Sequence, residues 1–237
     1  MDRPFLKIGF IGVAVVVTSI VLMIVTPSKA PWMMDGFFTP IIAFEFIETP
    51  KEVLQLFGPM NSPEQQEMVR AMNLGNRLDF VYMLLYSTFL LAFSVKCARE
   101  TGVKRYYVGT FTSIFVLASD FLENLQLLGI TSKLQTGGFE QHLAYLRVFT
   151  WLKWGGIAVT FLLLLPYFVR GNLYSKIVGG FVTVPFILGL LAYFHRSVLN
   201  ELFALSVAAT FVLLIAYCFS HKIPANSPAS PQMRRAW

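Results

Sequence analysis

Asp120, Glu123 and Asn124 are the residues of this sequence best placed to do chemistry, because they stand at i, i+3 and i+4 in a run that is otherwise almost wholly apolar. On a helix that spacing puts two carboxyls and a carboxamide on one face, in line with Ser113 and Leu127. The next apolar run carries Arg147 and Lys153, whose six-residue separation points them about 120° apart on a helix. One of the two is therefore expected to pair with the acidic face, and the other to meet a neighbouring helix or snorkel outward. Upstream, Asn76, Asp79, Tyr82 and Tyr86 follow a helical line with Arg77 beside it, and Glu45 lies in a short apolar segment before them.

Three kinds of chemistry suit such a set. The groups can bind or relay a small ion, or hold a polar solute or lipid headgroup. Alternatively, Asp120 or Glu123 can serve as general acid or base on a lipid substrate. The groups can also form an ion-pair network that fixes how helices pack, as in an assembly partner of another membrane protein. The first is the working expectation, because the polar groups are predicted to converge on a pocket lined by three helices and capped by the Glu45 segment. No nucleophile accompanies the carboxyls. The histidines His142, His195 and His221 lie near helix ends, and no HExxH or CxxC spacing is present, so neither a metal nor another cofactor is expected. Cys97 and Cys218 read as structural. Trp151 and Trp154 flank Lys153 and read as interfacial anchors rather than a ligand cage.

The elements that must position these residues follow from composition. The chain has 237 residues, 56% of them hydrophobic and 14% charged, with a mean hydropathy of +0.62, which is too apolar for an ordinary soluble domain. Its net charge of +6 is spread in short clusters between apolar runs, which excludes a nucleic-acid face and fits contact with membrane lipids. A hydrocarbon core of about 30 Å needs about 20 apolar residues in a helix. Stretches at 8–25, 80–95, 107–128, 148–168, 177–194 and 202–219 meet or approach that need. The expectation is an all-α polytopic transmembrane bundle of about six spanning helices, a single domain over 1–222. The first stretch has features of a signal peptide, but its apolar run is longer than the usual one and it is read as an uncleaved helix. Pro185, with Gly179, Gly180 and Gly189, is expected to bend the fifth stretch.

Lys and Arg resist translocation, and their distribution predicts cytoplasmic termini. Arg3 and Lys7, then Lys96, Arg99, Lys104 and Arg105, then Arg170 and Lys176, and finally Lys222, Arg234 and Arg235 all fall on one side in that arrangement. The segment 223–237, rich in Pro, Ser and Ala, is expected to be a disordered cytoplasmic tail. A non-spanning insertion of about 27–76 is expected on the opposite, outer face. In it, Thr49-Pro50-Lys51-Glu52 and Ser62-Pro63-Glu64-Gln65 each place a capping residue, proline at the first helical position and Glu or Gln three after the cap. Two short amphipathic helices are expected there, the second in a run that can continue into the second spanning helix. Residues 40–48 are too short to span but apolar enough to dip into the membrane.

Phe44-Glu45-Phe46-Ile47-Glu48-Thr49-Pro50, Leu78-Asp79-Phe80, Asp120-Phe121-Leu122-Glu123-Asn124 and the later Lys153-Trp154 together resemble a pattern of uncharacterised bacterial polytopic membrane proteins. That group shares FExxxTP-like, LDF and DxxEN motifs. The resemblance covers about the first two thirds of the chain and implies a fold relation without an activity. It also implies a bacterial inner membrane as the location.

Overall fold

In the computed structural model, which describes residues 3–222, every regular element is helical. The helices are α1 (Leu6–Val25), α2 (Pro40–Glu45), α3 (Pro50–Phe57), α4 (Pro63–Thr101), α5 (Tyr107–Ser132), α6 (Glu140–Phe168), α7 (Leu173–Phe181), α8 (Val184–Phe194) and α9 (Val198–Ser220). Among the described residues six helical segments are long and apolar enough to cross a membrane, α7 and α8 together making the fifth. The protein is thus an all-α bundle of the membrane-spanning kind. The expectations for 223–237, Arg234 and Arg235 included, lie outside the described residues.

Local chemistry sets the helix boundaries. Thr49 accepts from the Glu52 N–H at 3.2 Å while the Glu52 carboxylate accepts from the Thr49 N–H at 3.0 Å, closing a capping box ahead of α3. Ser62 caps α4 through the Gln65 N–H at 3.0 Å, and Pro63 fills the first position. This second cap opens α4 itself, so the run after it does continue into the second spanning helix, as its sequence allows. At about 1.5 Å per residue α4 is about 58 Å long, far more than a hydrocarbon core of about 30 Å. Residues 63–76, expected to belong to the insertion, are therefore the first turns of a spanning helix. The two short helices are instead α2 and α3. The fifth span breaks at Val182 and Thr183, just ahead of Pro185, whose ring and missing N–H prevent a continuous hydrogen-bond ladder.

Packing follows the chain order. α5 lies between α4 and α6, α1 packs on α4 and α9, and α8 packs on α9 and α6. Gly12 lets α1 approach this closely, since a Cβ there would stand 2.5 Å from Ile215 Cγ1 and 3.0 Å from the Phe89 ring. Outward positions such as Phe10, Met23, Phe111 and Leu205 are apolar and exposed, as a lipid-facing surface requires. The Phe5 and His221 rings lie 5.6 Å apart, so both ends of the described chain meet at one end of the bundle, the terminal end. α2 and α3 cover the other, the capped end.

Two hydrophobic clusters divide the interior. One fills the bundle around Phe89, Phe93, Phe161, Phe168 and Phe211. The second lies under the insertion around Phe44, Phe57, Met72, Ile130 and Leu146. Trp151 and Trp154 pack against both, and polar side chains gather at this junction.

Candidate functional site

The site is built from four elements. α4 supplies Asp79 and Tyr86, α5 supplies Asp120, Glu123 and Asn124, α6 supplies Thr150, Lys153 and Trp154, and the last residue of α2 is Glu45. Lys153 lies about 20 Å along α6 from its first residue, so its ammonium sits deep in the bundle, where the residue is 6% exposed.

Lys153 Nζ is the hub. It pairs with Glu123 Oε2 in close contact, lies 3.0 Å from Glu45 Oε2 and stands 3.7 Å from Asp120 Oδ1. The ammonium also sits 5.1 Å from the centre of the Trp154 ring, within the range of a cation–π contact. Each carboxyl has further partners. Tyr86 Oη donates to Asp120 Oδ2. Thr150 Oγ1 lies 2.6 Å from Glu123 Oε1 and 3.0 Å from the Glu45 carbonyl, with one proton to donate between them. Trp154 Nε1 donates to Glu45 Oε2 at 2.7 Å. Asn124 Nδ2 donates to Asp79 Oδ2 at 2.6 Å, which extends the polar seam along the α4–α5 interface.

The charge balance of this cluster is uneven. Glu45, Asp79, Asp120 and Glu123 bring four carboxyls against the single ammonium of Lys153, so full ionisation would leave three excess negative charges in the bundle interior. Burying one uncompensated charge already costs several kcal/mol. The cluster therefore cannot stand fully ionised without bound protons or other cations. Asp120 is 1% exposed, and its Oδ1 accepts no hydrogen bond from the described residues. Lys153 Nζ lies too far from it for one.

A narrow crevice leads toward this cluster from the capped end. It is about 20 Å³, room for about one water, and is lined by Glu45, Glu48, Arg147, Thr150, Tyr193 and Arg196, among others. Its mouth carries an ion-pair ring. Arg147 Nε lies 3.6 Å from Glu48 Oε1 and Arg196 Nη1 lies 3.8 Å from Glu48 Oε2. Arg196 also holds Glu52 in close contact and donates to the Phe46 carbonyl at 3.2 Å. Burial raises the Glu52 carboxyl, but hydrogen bonds from Arg196 and from the Glu48 and Thr49 N–H groups outweigh it and hold Glu52 below its ordinary 4.5. The start of α2 is fixed from α9, where buried Glu201 accepts from the Phe38 and Thr39 N–H groups at 3.0 and 2.8 Å.

Of the residues singled out in the sequence, Glu45, Asp120, Glu123 and Lys153 meet at one point, with Asp79 and Asn124 adjoining them. Arg147 points outward to Glu48 and is 63% exposed in its side chain. Arg77 is exposed on α4 and forms no ion pair among the described residues. Trp154 differs from the anchor expected of it, since its indole N–H is committed to Glu45. Thr150, Arg196 and Glu201 went unremarked in the sequence, and Glu52 was read there only as a capping residue. Thr150 sits one helical turn before Lys153, a spacing that places it on the same face. His142 contacts Gln126 and His221 contacts Glu100 at the terminal end, so neither reaches the cluster. Among the described residues no three His, Cys, Asp or Glu side chains are arranged to hold a metal ion.

No protein-family model matches the chain, and neither the curated proteins nor the solved structures yield a match. The functional reading therefore rests on the site itself.

Proposed function

We propose that this protein binds a small ion in the buried carboxylate–lysine cluster and passes it along the membrane-spanning bundle. The observation that carries the proposal is the excess of acid around Lys153, with Asp120 Oδ1 left without a donor. Ionisable groups at membrane depth are expensive and commonly mark ion pathways or proton relays. A network serving only to fix packing is best balanced in charge, because every uncompensated carboxylate works against folding. The small crevice supports an ion over a polar solute or a lipid headgroup. The clustering of Lys and Arg at the terminal end supports cytoplasmic termini, with the crevice opening to the outer face of a bacterial inner membrane.

The test is cation passage across vesicles reconstituted with the wild type or Glu123→Gln, with folding checked by circular dichroism. Passage by the wild type that the folded variant loses is the expected result. Wild-type vesicles no leakier than protein-free ones would overturn the proposal and favour an assembly role for the ion-pair network.

A further inference from the structure

Resting on the reading of the cluster as an ion site, we infer that the ion is the proton and that it reaches Glu45 through the crevice between Arg147 and Arg196. Two observations separate a proton from a metal cation. The crevice holds about one water, so Na⁺ or K⁺ would have to shed its hydration shell to enter, and stripping an ion costs many kcal/mol unless protein oxygens replace the water. The carboxylates along the route do not form an open cage for such an ion, because each is already held by a cation: Glu48 by Arg147 and Arg196 at the mouth, and Glu45 by the Lys153 ammonium at the inner end. A proton needs no space of its own, because it moves by exchange of O–H bonds along water and side chains.

The charged and titratable groups facing this route come from every element around it. They are Glu45 at the end of α2, Glu48 and Glu52 at α3, Asp79, Tyr82 and Tyr86 on α4, Asp120 and Glu123 on α5, Arg147 and Lys153 on α6, Tyr193 on α8, and Arg196 before α9. Glu45 is the only carboxyl among them that both lines the crevice and contacts Lys153. A hydronium proton in the crevice forms an O–H bond to the Glu45 carboxylate and leaves a neutral water behind. Glu45 then gives its proton to Lys153 Nζ as Lys153 gives one to Glu123, so that Glu45 is again a carboxylate, Lys153 again an ammonium and Glu123 a carboxylic acid. Glu45 is thus the receiving residue and Lys153 the relay. Asp120 Oδ1, buried and without a hydrogen-bond donor, is an acceptor for the onward step.

The experiment uses phospholipid vesicles containing the full chain and an entrapped indicator for H⁺, Na⁺ or K⁺, with each ion gradient imposed in turn. The wild type is expected to pass protons and neither metal ion. Glu45→Gln is expected to slow proton passage by roughly 10²-fold or more, and Arg147→Gln/Arg196→Gln to admit Na⁺ or K⁺. Because Arg196 also ties down α3, Arg147→Gln alone, at the more exposed of the two arginines, is the companion variant and should show the same change more weakly. Passage of Na⁺ or K⁺ by the wild type would overturn the inference while leaving the ion-site reading intact. No passage of any ion would overturn both. Unaltered proton passage in Glu45→Gln, or unaltered selectivity in both folded arginine variants, would refute the crevice as the route.

Discussion

Removing the hub ammonium is the most informative single change. Lys153→Met keeps much of the aliphatic stem but leaves Glu45, Asp120 and Glu123 facing one another without a cation. Deleting one partner of a buried ion pair costs about 3–5 kcal/mol, and this case should lie at the upper end because three carboxyls lose their partner together. For a chain of this size, each kcal/mol corresponds to roughly 2–4 °C in melting temperature, so the variant should melt roughly 10–20 °C below the wild type at neutral pH. The deficit should shrink at about pH 5, because protonation removes the repulsion between orphaned carboxylates. Lys153→Met/Glu123→Gln should recover part of the loss. The assay is thermal unfolding in detergent at the two pH values. A Lys153→Met protein as stable as the wild type at both would show that the cluster is not held together by this ammonium.

Other substitutions test neighbouring parts. Thr150→Val removes the hydroxyl shared by Glu123 and the Glu45 carbonyl and should cost about 1–3 kcal/mol in the same assay. Glu52 is held below its ordinary value in the folded chain, so its contribution is present above 4.5 and is lost as pH falls through its lowered value. The protection of the α3 amides, taken relative to their intrinsic exchange rate at each pH, should therefore fall on acidification, and Arg196→Gln should lower it already at neutral pH. Gly12→Ala inserts a methyl into the space taken by Ile215 and should cost about 1–3 kcal/mol by overpacking, read as a lower melting temperature.

The spans were legible because apolar length is a direct consequence of bilayer thickness, and α1 and α9 match the sequence reading closely. The acidic face of α5 was equally plain, since charge in an apolar run has few explanations. Caps were visible too, and the run after Ser62 could be seen to lead toward the second span, although a cap announces only where a helix starts and not that α4 runs unbroken from Pro63 to Thr101. What the sequence could not show is which cation meets the acids. Arg147 and Lys153 lie on the same helix, and only the crossing of α6 against α5 and α2 decides that Lys153 turns inward. The indole of Trp154 was misread for a similar reason. An aromatic residue near the start of an apolar run has an anchor's signature until a buried acceptor such as Glu45 lies in reach. Arg196 and Glu201 carried little local signal, because their partners, Glu52 and the start of α2, are far away in the chain.

The charge state of the cluster itself is the most direct point of test. Infrared difference spectroscopy of the purified protein, in H₂O and D₂O, separates carboxylic acids from carboxylates and reports which exchange with solvent. A buried cluster that carries a bound proton predicts a carboxylic-acid band in the wild type at neutral pH, shifted in D₂O and reduced or displaced in Glu123→Gln. Carboxylate bands alone in the wild type, unchanged by the substitution, would contradict a proton-binding site at Lys153.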